Sequence, residues 1–205
     1  MRTLVIATAT AACSVALIEG ERLVAREHVV VGRGHAERLV PMIGALPCGG
    51  RADAILVDCG PGSFTGVRVG LAAARGLGIG WGVPVCGFSS LALLAAAAFA
   101  DSDAERLVAV LDGGHGEVFA QAFDRALAPV GPMASYPPAA AIARFAGLRF
   151  VGQGTARLAQ ADPAIAVDAM LPDAADALLL PAAAVALPPA PLYGRAPDAV
   201  PSLRA

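Results

Sequence analysis

The sequence contains no lysine, and all fifteen of its basic residues are arginine. That excludes a phosphate-loop lysine, a Schiff-base lysine and a kinase-type strand lysine together, because each of those chemistries needs a primary amine. Charge of either sign is scarce. Charged residues make up 16% of the 205, against about 25% in an average soluble domain. The arginines are scattered along the chain, whereas an autonomous nucleic-acid binder carries a basic patch or stripe. Any connection to RNA is therefore expected to run through a partner.

Metal and redox motifs are also missing. The four cysteines, Cys13, Cys48, Cys59 and Cys86, show neither CxxC nor zinc-ligand spacing. Arg2 leads straight into a strand-like run with nothing resembling a signal peptide, so reduced thiols in the cytoplasm are expected. There is no HExxH, and His28, His35 and His115 are spread along the chain. Neither a metal site nor metalloprotease activity is expected.

Apolar residues, by contrast, reach 57%, with alanine supplying much of the excess. Two readings stand side by side: compositional drift, or apolar surface covered by a partner. The stretch from Gly76 to Ala100 has no charge and is long enough to span a bilayer. Its repeated glycines, Pro84, Ser89 and Ser90 divide it instead into a helix end, a short buried strand and a new helix capped at Ser89. No membrane segment is expected.

Residues 3–10, 12–19 and 22–31 read as three strands of a meander, the last two joined at Gly20-Glu21. A helix is predicted from His35 to Leu46, a buried strand at Ala54–Val57, a helix from the glycine-rich turn to about Gly80, a strand at 83–87 and a helix at 89–100. The charged run Asp101–Glu105 is the expected boundary between a lobe at 1–104 and a smaller one at 105–205. In the second, 106–111 and 116–124 form a hairpin around Asp112-Gly113-Gly114. Twelve of the sixteen prolines follow residue 128, and Leu148–Val151 leads through Gly152-Gln153-Gly154 into a short helix.

The segments LVIATATAACSVALIEG, GHAERLVPMI at 34–43, GPGSFTGVRVGLAAARGLG at 60–78, LDGGHGEVFAQAF at 111–123 and PLYGRAPDAV at 191–200 span most of the chain. In that order they resemble the TsaB family, and the GPGSFTG segment is the most specific of them. The resemblance implies an α/β fold of two RNase H-like lobes, as in the actin and Hsp70 ATPase superfamily. It also implies a non-catalytic subunit in the formation of N6-threonylcarbamoyladenosine next to the tRNA anticodon. The partners implied are a TsaD-like catalytic subunit, which binds the ATP, and a TsaE-like ATPase through the complex. Contact with tRNA would be indirect, and a homodimer is expected when the chain is alone. No cofactor of its own is expected.

Three physical readings accompany the resemblance. The first hairpin, where the superfamily presents an acidic residue near phosphate and metal, carries Ala7, and no carboxylate lies between Arg2 and Ile18. That speaks against ATP hydrolysis by this lobe. The loop Gly60–Gly66 reads either as a strand-to-helix turn capped by Ser63 or as a phosphate loop using Gly62, Ser63, Thr65 and Gly66. Finally, Gly62, Gly66, Gly70, Ala74 and Gly78 recur every fourth residue, a smooth stripe that favours close approach of another backbone, in this lobe or in a partner. In the preceding helix Ala36, Leu39, Val40, Met42, Ile43 and Leu46 cover roughly 160° of the wheel, more than one core needs. The expected partner-binding set is His35, Arg38, Leu39, Met42, Phe64, Val67, Arg68, Gly70, Leu71 and Ala74, with no catalytic residue.

Overall fold

The computed structural model describes residues 1–194; residues 195–200 of the PLYGRAPDAV segment lie outside them. The first sheet is built from β1 (Arg2–Ala7), β2 (Ala12–Glu19), β3 (Arg22–Val30), β4 (Ala54–Asp58) and β5 (Val85–Phe88), in the order β3-β2-β1-β4-β5. The first three strands form an antiparallel meander, and β4 and β5 run parallel to β1. Strands β1 and β2 are apolar almost without interruption because helices cover both faces of the sheet, so alternation has no solvent side to mark.

The second sheet repeats the plan. It consists of β6 (Arg106–Gly114), β7 (Glu117–Asp124), β8 (Ala134–Tyr136), β9 (Arg149–Val151) and β10 (Val167–Asp168), ordered β10-β9-β6-β7-β8. Again three strands form an antiparallel meander and two more run parallel to the first of them. The chain is thus two lobes of one topology, the RNase H-like repeat of the actin-like ATPase fold.

Helices α1 (His35–Ala45) and α2 (Phe64–Trp81) cover the outer face of the first sheet. Helices α4 (Pro138–Arg144) and α5 (Thr155–Ala161) cover the outer face of the second. Between the sheets lies α3 (Ser90–Ala100), capped by Ser89, whose hydroxyl accepts from the Leu91 amide at 3.2 Å. Its residues pack on Val5, Ala7 and Leu56 of one sheet and on Leu107, Ala109 and Phe123 of the other. A helix enclosed on all sides needs no polar face, which accounts for the uncharged run that ends at Ala100. Among the described residues no helix is long and apolar enough to cross a membrane.

The hairpin of the second lobe turns one step later than expected. Asp112, Gly113 and Gly114 belong to β6, and the turn falls at His115-Gly116, both with positive φ. After β10 the chain returns to the first lobe. Asp173 caps a 3-10 turn (Ala174–Leu179) that packs on β1, β2, β3 and α3. Leu187 then exchanges backbone bonds with Gly87, and the Leu192 amide donates to the Cys59 carbonyl at 2.8 Å.

Candidate functional site

The glycine stripe predicted on α2 is the surface by which the helix sits on its own sheet. A Cβ at Gly62 would lie 2.1 Å from the Ala9 carbonyl oxygen, one at Gly66 2.1 Å from that of Thr8, and one at Gly70 2.4 Å from the Thr8 hydroxyl. At Gly78 it would meet Val85 at 2.5 Å. The approach is sealed by Thr8, whose buried hydroxyl donates to the Gly66 carbonyl at 2.8 Å. Of the expected docking residues, His35, Leu39, Met42, Val67, Gly70, Leu71 and Ala74 are buried inside this chain. They are core rather than contact surface. The reason is periodic: every fourth residue tracks one side of a helix, and on α2 that side already has β1 as its neighbour. His35 has a local duty, its Nε2 lying 2.9 Å from the Thr10 carbonyl and 3.2 Å from that of Ala12.

The remaining three, Arg38, Phe64 and Arg68, do reach the surface. Arg68 is engaged there. Its guanidinium lies 3.3 Å from the centre of the Phe64 ring, Nη1 donates to the Phe64 carbonyl at 2.9 Å, and Nη2 donates to the Tyr193 hydroxyl at 2.9 Å. Phe64 and Tyr193 stay 70% and 63% exposed, so this stack stands proud at the first turn of α2.

The open side of α2 carries a second small-residue stripe, which periodicity does not separate from the first. Ala72, Gly76 and Gly80 are exposed, and nothing among the described residues lies within 4 Å of a Cβ placed at Gly76 or Gly80. Ile79 beside them is 84% exposed. On α1, which packs against α2, Ala36, Val40 and Gly44 form a similar outward row, with Val40 64% exposed. The broad apolar arc of α1 therefore divides, with Leu39, Met42, Ile43 and Leu46 turned inward and Ala36 and Val40 outward.

The loop before α2 is a braced turn. The Ser63 amide donates to the Ala9 carbonyl at 2.7 Å, the Gly66 amide to Ser63 Oγ at 3.2 Å, and the Gly60 amide to Asp58 Oδ1 at 2.8 Å. Two amides of the expected phosphate set are therefore spent within the chain, and the carbonyl oxygens of Thr8 and Ala9 press against Gly66 and Gly62. Carbonyl dipoles pointing at the loop are the wrong sign for a phosphate, so the residues present do not fit a phosphate cradle. The loop borders a cleft of about 900 Å³ between the lobes, walled opposite by Asp112–His115 and Gln153 and crossed by Pro191–Gly194. The carboxylate in that wall, Asp112, is held by Arg157 at 2.8 Å and by the Gly114 amide at 2.8 Å.

Asp58, at the end of β4, is the most unusual group nearby and was not singled out from the sequence. It is 1% exposed, and burial pushes its carboxyl up to about 6, against the pull of the Ser90 hydroxyl and the Gly60 and Ala9 amides. The signal was a lone carboxylate closing an otherwise apolar buried strand. Among the described residues no cluster of three or more histidines, cysteines or carboxylates is close enough together to hold a metal ion.

Two lobes of repeated topology facing each other across a cleft define an actin-like α/β protein. A family model described as "TsaD: tRNA N6-adenosine threonylcarbamoyltransferase" matches residues 29–177; the chain belongs to that family, and proteins named TsaB are among its relatives. The tRNA threonylcarbamoyladenosine biosynthesis protein TsaB of Escherichia coli is 38% identical over 130 residues, 61% of this chain and 56% of that protein. The Haemophilus influenzae TsaB is 42% identical over 118 residues, 55% of this chain and 49% of that protein. The matches thus span about half the length of these curated relatives. The solved structure of YeaZ from Pseudomonas aeruginosa superposes with a TM-score of 0.74 at 32% identity, covering 87% of this chain and 90% of that one. A second Pseudomonas aeruginosa structure, described as similar to peptidase YeaZ, gives 0.77 at 32% identity with 95% and 99% covered.

Proposed function

We propose that the chain is a non-catalytic subunit that docks a TsaD-like catalytic subunit through the outward sides of α1 and α2. In that role it supports formation of N6-threonylcarbamoyladenosine next to the anticodon of tRNAs that read codons starting with A. The observation that carries the reading is the open stripe Ala72–Gly76–Gly80 beside Ile79 and Val40. Glycine in an exposed helix interior costs roughly 1 kcal/mol relative to alanine, and nothing among the described residues packs on Gly76 or Gly80 to offset it. Close approach of a second helix backbone provides the offset, and the names of the TsaB relatives and of the family model support a TsaD-like protein as that partner. The same face serves a second copy of the chain when the partner is absent.

The non-catalytic assignment rests on two features of the first lobe. The first hairpin offers alanines at Ala7, Ala9 and Ala11 in place of a carboxylate, and the GPGS loop is filled by carbonyl oxygens. In this reading the nucleotide belongs to the partner, a TsaE-like ATPase joins through the complex, and tRNA is met indirectly. The rival is a stand-alone ATP-dependent enzyme of the same fold, favoured by the size of the cleft and by Asp112 in its wall.

The test is a threonylcarbamoyl-transfer assay with TsaD, TsaE, tRNA and the activated intermediate, with and without this chain. Transfer that requires the chain, together with no nucleotide turnover by the chain alone, supports the subunit reading. Turnover by the pure chain supports the rival.

A further inference from the structure

The carboxyl group of Asp58 sits where three segments of the first lobe converge. Its Oδ1 accepts from the Gly60 amide at 2.8 Å, on the loop that starts α2, and from the Ser90 hydroxyl at 2.6 Å, in the first turn of α3. The Ala9 amide, on the turn between β1 and β2, draws on it as well. Oδ2 is buried and makes no hydrogen bond of normal geometry among the described residues. A buried carboxylate with one oxygen short of a well-formed hydrogen bond is expensive to keep, and the packing around it does not call for a charge. Leu56 and Phe88 on the same face of the sheet are ordinary core, and α3 already has its cap in Ser89.

We propose that Asp58 is a positioning residue for α2: through a single oxygen it ties the loop that launches α2 to the start of α3, and so fixes the angle at which the outward face of α2 is presented. The proposal rests on the docking reading above for its consequence, but not for its geometry. The mechanical route is short. Gly60 is followed within three residues by Ser63, which caps α2 through the Gly66 amide, and Ser63 is itself pinned to Ala9. Loss of the Oδ1 acceptor frees the loop at Gly60 and the Ser90 hydroxyl together.

The register of the sheet supplies an independent handle. Val5 pairs with Leu56 and Ile6 with Val57, so the next step sets Ala7 beside Asp58 on neighbouring parallel strands. Val5, Ala7 and Leu56 all face α3, and strands lie only about 4.8 Å apart. A carboxylate placed at position 7 therefore stands one strand away from the one removed at 58, on the same face.

The experiment uses amide hydrogen exchange on the isolated full chain, followed by affinity for the TsaD-like subunit from the same source. Asp58→Ala is expected to speed exchange selectively at residues 60–67 and 90–93 and to weaken pairing about tenfold, the equivalent of about 1.4 kcal/mol. Asp58→Asn keeps the Oδ1 acceptor and is expected to pair within about twofold of the parent, twofold being well under one tenfold step. Ala7→Asp combined with Asp58→Ala is expected to recover protection in both segments. Ser90→Ala serves where Asp58→Ala does not fold. It leaves the Ser89 cap in place, and faster exchange at 60–63, across the bond rather than along the chain, is the expected signature.

Unchanged protection in Asp58→Ala, or loosening in Ser90→Ala confined to α3, overturns the proposal. So does Asp58→Asn losing as much affinity as Asp58→Ala. Exchange that responds as expected while pairing does not respond upholds the positioning role and counts against the docking reading instead.

Discussion

Gly70 and Thr8 meet so closely that no side chain fits between them. A Cβ on Gly70 would stand 2.4 Å from Thr8 Oγ1, and that hydroxyl is fixed by its bond to the Gly66 carbonyl one turn earlier. The contact decides which side of α2 belongs to the chain itself and which is left over for something else.

Gly70→Ala is accordingly expected to destabilise the isolated chain by about 1–3 kcal/mol through overpacking against a side chain that cannot move aside. Gly70→Arg is expected to unfold the first lobe rather than to block pairing selectively. Thermal and denaturant unfolding followed by circular dichroism measure both.

Gly76→Ala is expected to act in two opposite directions. The methyl enters open space, so the isolated chain should gain roughly 0.5–1 kcal/mol from helix propensity. Affinity for the TsaD-like subunit should fall, because the methyl keeps the partner helix at a distance. A stability gain without any loss of affinity would place the interface elsewhere.

Asp58 makes stability depend on pH. Its folded pKa of about 6 lies above the ordinary 3.8, so the folded state favours the protonated form. The contribution is most favourable below pH 4 and is lost as pH rises through 4 to 6. A difference of that size between the folded and unfolded chain corresponds to about 3 kcal/mol. Asp176, pushed up to about 6 by burial and by Asp173, slopes the same way. Asp58→Asn is expected to flatten the profile between pH 4 and 7 and to melt higher than the parent at pH 7.5. Parallel profiles for parent and variant would show that Asp58 ionises as freely in the folded chain as in the unfolded one.

Asp173 fastens the returning segment to the first lobe. It pairs with Arg26 at 2.8 Å, faces His28 at 3.4 Å, accepts from Ser14 Oγ at 3.2 Å and caps its own 3-10 turn through the Ala175 amide. Asp173→Ala removes a cap and a half-buried ion pair together and is expected to cost about 1–3 kcal/mol. Limited proteolysis should then cut within 172–186 before the rest of the chain.

The elements that carry long apolar patterns were legible in the sequence. The meander, α1, the GPGSFTG turn, α2 with its Ser63 cap and α3 with its Ser89 cap lie within a residue or two of where the pattern puts them, except that β1 ends at Ala7, three residues before the expected end. β8, α4 and β10 were not, being short elements in a proline-rich stretch. The return of 173–192 to the first lobe is a long-range choice with no local signal. On α2 the difficulty was of another kind. Glycine or alanine at 62, 66, 70, 74 and 78 and again at 72, 76 and 80 marks two sides of one helix, and periodicity alone does not tell the seated side from the open one. Ala9 and Thr8 decide it, through contacts some fifty residues or more away in sequence. Asp58 escaped notice for a similar reason, since its partner Ser90 is supplied by a helix that only the folded sheet brings near.

That the open side of α1 and α2 binds a TsaD-like subunit is tested most directly by light scattering on mixtures of the two purified chains. The parent, Gly76→Arg and Ala72→Arg would be compared, each variant first shown to be folded. A stable heteromeric complex is expected with the parent, and separate species with both variants. Complexes of equal mass and affinity with all three chains, or no complex with the parent, would contradict the docking surface.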